Sequence, residues 1–124
     1  MNSNDLYNIH KINRELIREL SLLELYNRHK GKASDKWSIY LREYDRLFIN
    51  YRDKELALLE IGIQNGGSLE VLAQYFQNAK NLVGCDINEK CADLTYEDPR
   101  VSVLCGDAGD ALTVDKIKSI SPSF

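Results

Sequence analysis

Apolar residues recur at helical spacing in the first part of the chain and gather into short runs in the second. From Asp5 to Arg28, Leu6, Ile9, Leu16, Leu20, Leu23 and Tyr26 fall at separations of three, four and seven. That spacing predicts one amphipathic helix or two short ones. Gly31 to Asp35 interrupts it, and a second helix is predicted from about Trp37 to Tyr51. Its stripe, Trp37, Tyr40, Leu41, Tyr44, Leu47, Phe48 and Tyr51, is rich in aromatics and is expected to pack on a core rather than line a pocket.

The texture changes after Arg52-Asp53-Lys54. Ala57-Leu58-Leu59-Glu60-Ile61 is a short apolar run ending at Gly62, as a buried parallel strand would be. Ser68 suits the N-cap of a following helix whose inner face is Leu69, Leu72, Ala73 and Phe76. A second strand is predicted at Asn81–Asp86, a short helix at Glu89–Leu94, and a third strand at Val101–Cys105 after the turn Glu97-Asp98-Pro99. Asp110 to Ser119 reads as a last helix, with Leu112, Ile117 and Ile120 apolar. Strands alternating with helices in this way give βαβαβ and a parallel sheet. The fold class is therefore α/β: an incomplete doubly wound, Rossmann-like sheet of about three strands, preceded by N-terminal helices. Residues 1–54 form the helical lead-in and residues 55–124 the βαβαβ half-domain.

Composition narrows the function only slightly. A net charge of −3 offers no basic excess for neutralising nucleic-acid phosphates. The one basic cluster, Arg28-His29-Lys30-Gly31-Lys32, is short and reads as a solvated surface. No run approaches the ~18 apolar residues of a membrane span, and the N-terminal residues lack a signal-peptide layout. Cys85, Cys91 and Cys105 form no Cys-x-x-Cys pair and have no metal-ligand spacing. An odd count without a secretion signal points to a reducing cytoplasm. Cys85 and Cys105 sit in apolar runs and are expected to act as small hydrophobic fillers. His10 and His29 are read as surface residues.

Candidate chemistry concentrates at Glu60-Ile61-Gly62-Ile63-Gln64-Asn65-Gly66-Gly67-Ser68, between the first strand and its helix. Glycine there permits a tight turn and a close ligand approach, and the next helix aims free N–H groups above the loop. A dinucleotide site would have glycine where Gln64 stands, so a pyrophosphate would meet a side chain at its closest approach. Asp86 ends the second strand, placed to accept hydrogen bonds from ribose hydroxyls. Asp107 follows the third strand and faces the same edge, within reach of an adenine amine. Glu60, Asp86 and Asp107 thus lie at the C-terminal ends of three successive strands.

Glu60-x-Gly62-x-x-x-Gly66-Gly67-Ser68, then Gly84-Cys85-Asp86-Ile87, then Gly106-Asp107-Ala108 resemble the first three motifs of class I S-adenosylmethionine-dependent methyltransferases. The form is most similar to the branch holding macrolide-sugar O-methyltransferases and cephalosporin-biosynthesis enzymes. Asp35-Lys36-Trp37 and Tyr40-x-x-x-Tyr44 resemble that branch's lead-in helix, and the likeness runs over about residues 35 to 120. The resemblance implies S-adenosyl-L-methionine as cofactor. Glu60, Gly62, Gln64, Asn65, Gly66 and Ser68 would then surround its methionine end. Asp86 and Ile87 would hold the ribose, and Asp107 with Ala108 would face the adenine.

By the same resemblance a fourth strand would begin near Phe124, so the chain is expected to lack the half that activates a methyl acceptor and to be inactive alone. No residue is assigned a catalytic or metal-binding role. Two alternatives stand beside this reading: a non-catalytic cofactor-binding or interaction module, and a nicotinamide-binding domain. The resembled fold orders its strands third, second, first, fourth, so without the fourth the run Ala57–Ile61 would be an open edge. A homodimer or larger oligomer through that edge is the expected assembly.

Overall fold

The computed structural model describes residues 2–32 and 38–124. The lead-in is helical. Helix α1 spans Ser3–Arg18 and α2 spans Leu22–Arg28, so the first predicted stretch divides in two. The break falls where Ser21 caps α2: its side chain accepts the Glu24 N–H while the Glu24 carboxylate accepts the Ser21 N–H. Helix α3, Ser38–Phe48, runs into a 3-10 turn at Ile49–Tyr51. Trp37, with Asp35-Lys36, lies outside the described residues.

The strands β1 (Ala57–Ile61), β2 (Asn81–Asp86) and β3 (Val101–Cys105) match the predicted segments. Helix α4 occupies Gly67–Tyr75, a 3-10 helix Glu89–Asp93, and helix α5 Ala111–Ile120 behind an Asp110 cap. All pairing is parallel, in the order β1-β2-β3. Register places Leu58, Leu82 and Val101 in one row and Glu60, Gly84 and Val103 in the next. Rows two residues apart share a sheet face. On this face Leu82 and Val101 join the inner residues of α4, and Gly84 lies beneath Leu69 and Ile63, where any Cβ would meet them. A small residue at 84 therefore lets α4 settle on the sheet.

Helix α4 is buried almost all round, beyond the single face read from the sequence. Leu69, Leu72, Ala73 and Phe76 are buried as expected, and so are Val71 and Tyr75. The reason is a second covering layer: Leu22 and Leu25 of α2 and Leu41 of α3 close over it. The lead-in's other apolar positions divide between agreement and departure. Leu6, Ile9 and Leu16 of α1, and Tyr40, Leu47 and Tyr51 around α3, stay exposed, while Ile17, Leu20, Leu23, Tyr26 and Phe48 pack on the core. Contact begins only where the first helix nears its end. Tyr44 stacks on Phe48, whose ring meets Phe76 edge-on.

Strand β1 is not the buried strand its composition suggested. Its residues are half-exposed, and Ile61 is 63% exposed, because it lies at the sheet's edge. In the last helix Leu112 is likewise exposed, with Thr113 and Ile117 turned inward instead. Cys85 is fully buried, and burial pushes its thiol pKa up, in keeping with a core filler. Cys105 is half-buried and joined to Cys91 in a disulfide, with Cα atoms 6.1 Å apart. The fourteen-residue separation hides this pair in the sequence; the 3-10 helix brings Cys91 back beside β3. Among the described residues, no helix is long and apolar enough to cross a membrane.

Arg100 fastens the sheet to α4. Its guanidinium donates to the carbonyls of Ala73, Phe76, Gln77 and Ala79 and pairs with Asp98 at 2.7 Å. These acceptors include the carbonyls a helix leaves unpaired at its C-terminal end. Arg100→Ala is expected to destabilise the protein by about 2 kcal/mol, the scale for charged hydrogen bonds lost from partly buried carbonyls. Urea unfolding should show a lower midpoint at an unchanged slope.

Candidate cofactor site at the sheet edge

The loop after β1 owes its shape to two glycines and a carboxylate. Gly62 and Gly66 have φ of 82° and 81°, in the left-handed region that glycine enters without strain. A Cβ at Gly66 would also strike the side chains of Tyr96 and Leu94. Gly66, rather than Ser68, is the N-cap of α4, and no side chain caps the helix. The left-handed turn at Gly66 starts the helix early and carries Ser68 into its first turn. There the Ser68 hydroxyl donates to Glu60 Oε1, tying the helix start to the end of β1. Among the described residues no side chain caps the first N–H groups of α4.

Asp86 holds the other side of the loop. Its Oδ2 accepts the N–H groups of Ile63 and Gln64, each at 3.0 Å, and its Oδ1 accepts Asn88 N–H at 2.9 Å. The Asn88 N–H foremost, then those of Gln64 and Ile63, hold this carboxyl below the usual aspartate range. Gln64 itself has φ +48°, a left-handed conformation that costs a non-glycine residue of order 1 kcal/mol. The two hydrogen bonds to Asp86 on either side of this peptide offset that strain. Ile63 is buried at the centre of the loop, between Leu69 and Cys91. An apolar residue inside a polar, glycine-rich turn marks the loop as packed; the sequence reading passed over that signal.

The remaining candidates line the same edge. Ile87 is 71% exposed just beyond Asp86, and Asn65 projects outward from the loop. Asp107 accepts Gly109 N–H at 2.8 Å, forming a short turn with Ala108 half-buried inside it. Cys105 and Cys91 connect this turn to the segment that follows Asp86. The structure thus brings Glu60, Gly62, Gln64, Asn65, Gly66, Ser68, Asp86, Ile87, Asp107 and Ala108 to the C-terminal ends of three adjacent strands. In open parallel sheets that is where ligands bind.

Two residues of the basic run are not at the solvated surface expected of them. His29 is half-buried at the C-cap of α2, with a ring nitrogen 2.6 Å from the Lys32 carbonyl oxygen. Lys32 is not a solvated surface charge: its ammonium lies 3.4 Å from Glu70 and 4.6 Å from the centre of the Tyr96 ring. A groove of about 400 Å³ adjoins this site along the outer side of β1, with Glu60, Gly62 and Ser68 at one end and Leu22, Tyr26 and Leu41 along it.

Depression of the Asp86 pKa means that the folded state favours its ionised form. The resulting stability is present above the unfolded aspartate value, about 4, and is lost as pH falls through the lower folded value. Stability followed by urea unfolding should therefore decline below about pH 4. Asp86→Asn should lose part of that acid dependence, and an unchanged pH profile in the variant would refute the assignment.

Two curated proteins are similar to this chain. The 8-demethyl-8-alpha-L-rhamnosyl tetracenomycin-C 2'-O-methyltransferase of Streptomyces olivaceus is 31% identical over 100 residues, 73% of this chain and 25% of that protein. The mycinamicin VI 2''-O-methyltransferase of Micromonospora griseorubida is 29% identical over 107 residues, 81% of this chain and 26% of that protein. The chain spans about a quarter of the length of these relatives. No family model matches it.

Proposed function

We propose that this chain, a relative of the class I S-adenosylmethionine-dependent methyltransferases, binds S-adenosyl-L-methionine and supplies the cofactor-holding share of an O-methyl transfer to a sugar or other small molecule. The observation that carries this reading is the convergence of the uncapped α4 start, the Glu60–Ser68 pair and the Asp86 carboxylate on one glycine loop. The first N–H groups of α4 suit the methionine carboxylate. A carboxylate accepts about four hydrogen bonds, so Asp86 suits a ribose hydroxyl while it anchors the loop. Asp107 and Ala108 suit the adenine. No residue of the chain is given the task of activating the acceptor. The proposal includes a cytoplasmic setting, where cellular reductants would keep Cys91 and Cys105 as adjacent thiols.

Calorimetric titration with S-adenosylhomocysteine tests the cofactor assignment. Binding is expected, and Asp86→Ala should weaken it by 1.5–3 kcal/mol, roughly ten- to a hundredfold. No heat at millimolar ligand removes the assignment. Binding of NAD in preference would move the chain to the nicotinamide class, against which the exposed, left-handed Gln64 stands.

Among the described residues β1 has no strand on its outer side, which supports the second part of the proposal, a homodimer. Gly62 N–H bonds Cys85 and the Leu56 carbonyl accepts Lys80 N–H, so even-numbered residues of β1 face β2. The N–H and C=O groups of Ala57, Leu59 and Ile61 therefore point away from the sheet. An exposed Ile61 and the groove beside it add apolar surface to this edge. Pairing of two β1 strands about a two-fold axis would satisfy both needs. Sedimentation equilibrium at micromolar concentration should give a dimer, and Ile61→Lys should shift it to monomer. A monomeric wild-type chain would count against this assembly.

A further inference from the structure

Tyr96 stands outside every motif of the sequence, yet it meets the glycine loop at its turning point. Its hydroxyl donates to the Gly66 carbonyl at 2.8 Å. Gly66 also donates its own N–H to Ile63 O at 2.8 Å, so both faces of this residue are fixed. A peptide unit is planar and trans, so holding the Gly66 carbonyl fixes the opposite direction of the Gly67 N–H. That N–H is the first of the uncapped donors at the start of α4.

Tyr96 is itself held from the lead-in. Lys32 Nζ lies over its ring at 4.6 Å, and the same ammonium pairs with Glu70 in the first turn of α4. The Lys32 backbone N–H donates to Glu70 Oε1 at 2.9 Å, and the Lys32 carbonyl meets the His29 ring. A chain of contacts thus runs from the end of α2 through Lys32 and Tyr96 to Gly66. We infer that Tyr96, braced by Lys32, is a positioning residue that aims the first N–H groups of α4 at the methionine carboxylate of the cofactor. This rests on the cofactor reading above. Burial, with Glu70 and Glu60 nearby, pushes the Tyr96 pKa up to about 12, so its hydroxyl stays a donor throughout the working pH range.

The test compares two ligands on the full 124-residue chain. S-adenosylhomocysteine carries the amino-acid end that Gly67 would meet; adenosine lacks it. Tyr96→Phe should weaken S-adenosylhomocysteine about five- to tenfold, the scale of one neutral hydrogen bond, and leave adenosine unchanged. Lys32→Gln should do the same to a smaller degree. Amide hydrogen exchange in the ligand-free Tyr96→Phe protein should quicken in residues 63–69 while the β2 amides stay protected. Equal loss of both ligands, or unaltered exchange in the loop, overturns the positioning role and leaves the cofactor reading intact. A wild-type chain that binds neither ligand overturns both.

Discussion

Three N–H groups from two loops converge on one carboxylate at the end of the middle strand. Asp86 draws in Ile63 and Gln64 from the loop after β1, and Asn88 from the segment after its own strand. Backbone donors at the top of a parallel sheet cannot all find partners within secondary structure, and a buried donor left unpaired is costly. One acidic side chain meets that need for both loops. It also sets how far apart they stand. Cys91 and Cys105 stand side by side where the segment after β2 returns to β3, so the third strand end lies against the same segment. The site's shape follows from these polar contacts together with the buried Ile63 and Leu69 beneath the loop.

The sheet was legible in the sequence because its signals are local. Short, mostly apolar stretches of five or six residues, close to glycine, proline or aspartate, mark all three strands, and the glycine pattern locates the loop. What stayed hidden depends on distant partners. The half-exposure of β1 follows from its position at the sheet's edge, which the composition of Ala57–Ile61 does not encode. Ser68 looked like a cap because serine commonly is one; the positive φ at Gly66 moved the cap two residues upstream. Lys32 and His29 read as surface charge within a basic run, and only the packing of α2 beside α4 turns them inward. Tyr96 and Arg100 carry no periodic or motif signal at all. The backbone carbonyls they donate to lie between twenty-one and thirty residues earlier.

The helical lead-in therefore has two characters. From Ile17 onward it is part of the core, with Leu22, Leu25 and Leu41 completing the burial of α4. Arg52, itself buried, links the two layers by donating to the carbonyls of Ile17 and Tyr75. Before Ile17, α1 is held by its own capping box and by the Gln77 side-chain amide, which donates to the Arg14 carbonyl at 3.0 Å, with the exposed Arg18–Asp53 pair just beyond. Exposed pairs of that kind contribute little. The division at 54 read from the sequence marks a change in element type, and burial crosses it freely.

Arg100 gives the βαβ unit an unusual dependence on residues yet to come. The Ala73 carbonyl in the last turn of α4, and those of Phe76, Gln77 and Ala79 just past it, take donors from a side chain that stands just before β3. The helix end cannot be fully satisfied until that later segment has docked, so the stretch from 57 to 80 is not a self-sufficient folding unit. During synthesis it would emerge with its C-terminal turn still frayed and tighten when residue 100 arrives. In the finished molecule the same link runs in reverse. A fluctuation that lifts the start of β3 releases the end of α4 with it, so helix and strand open together as one cooperative block.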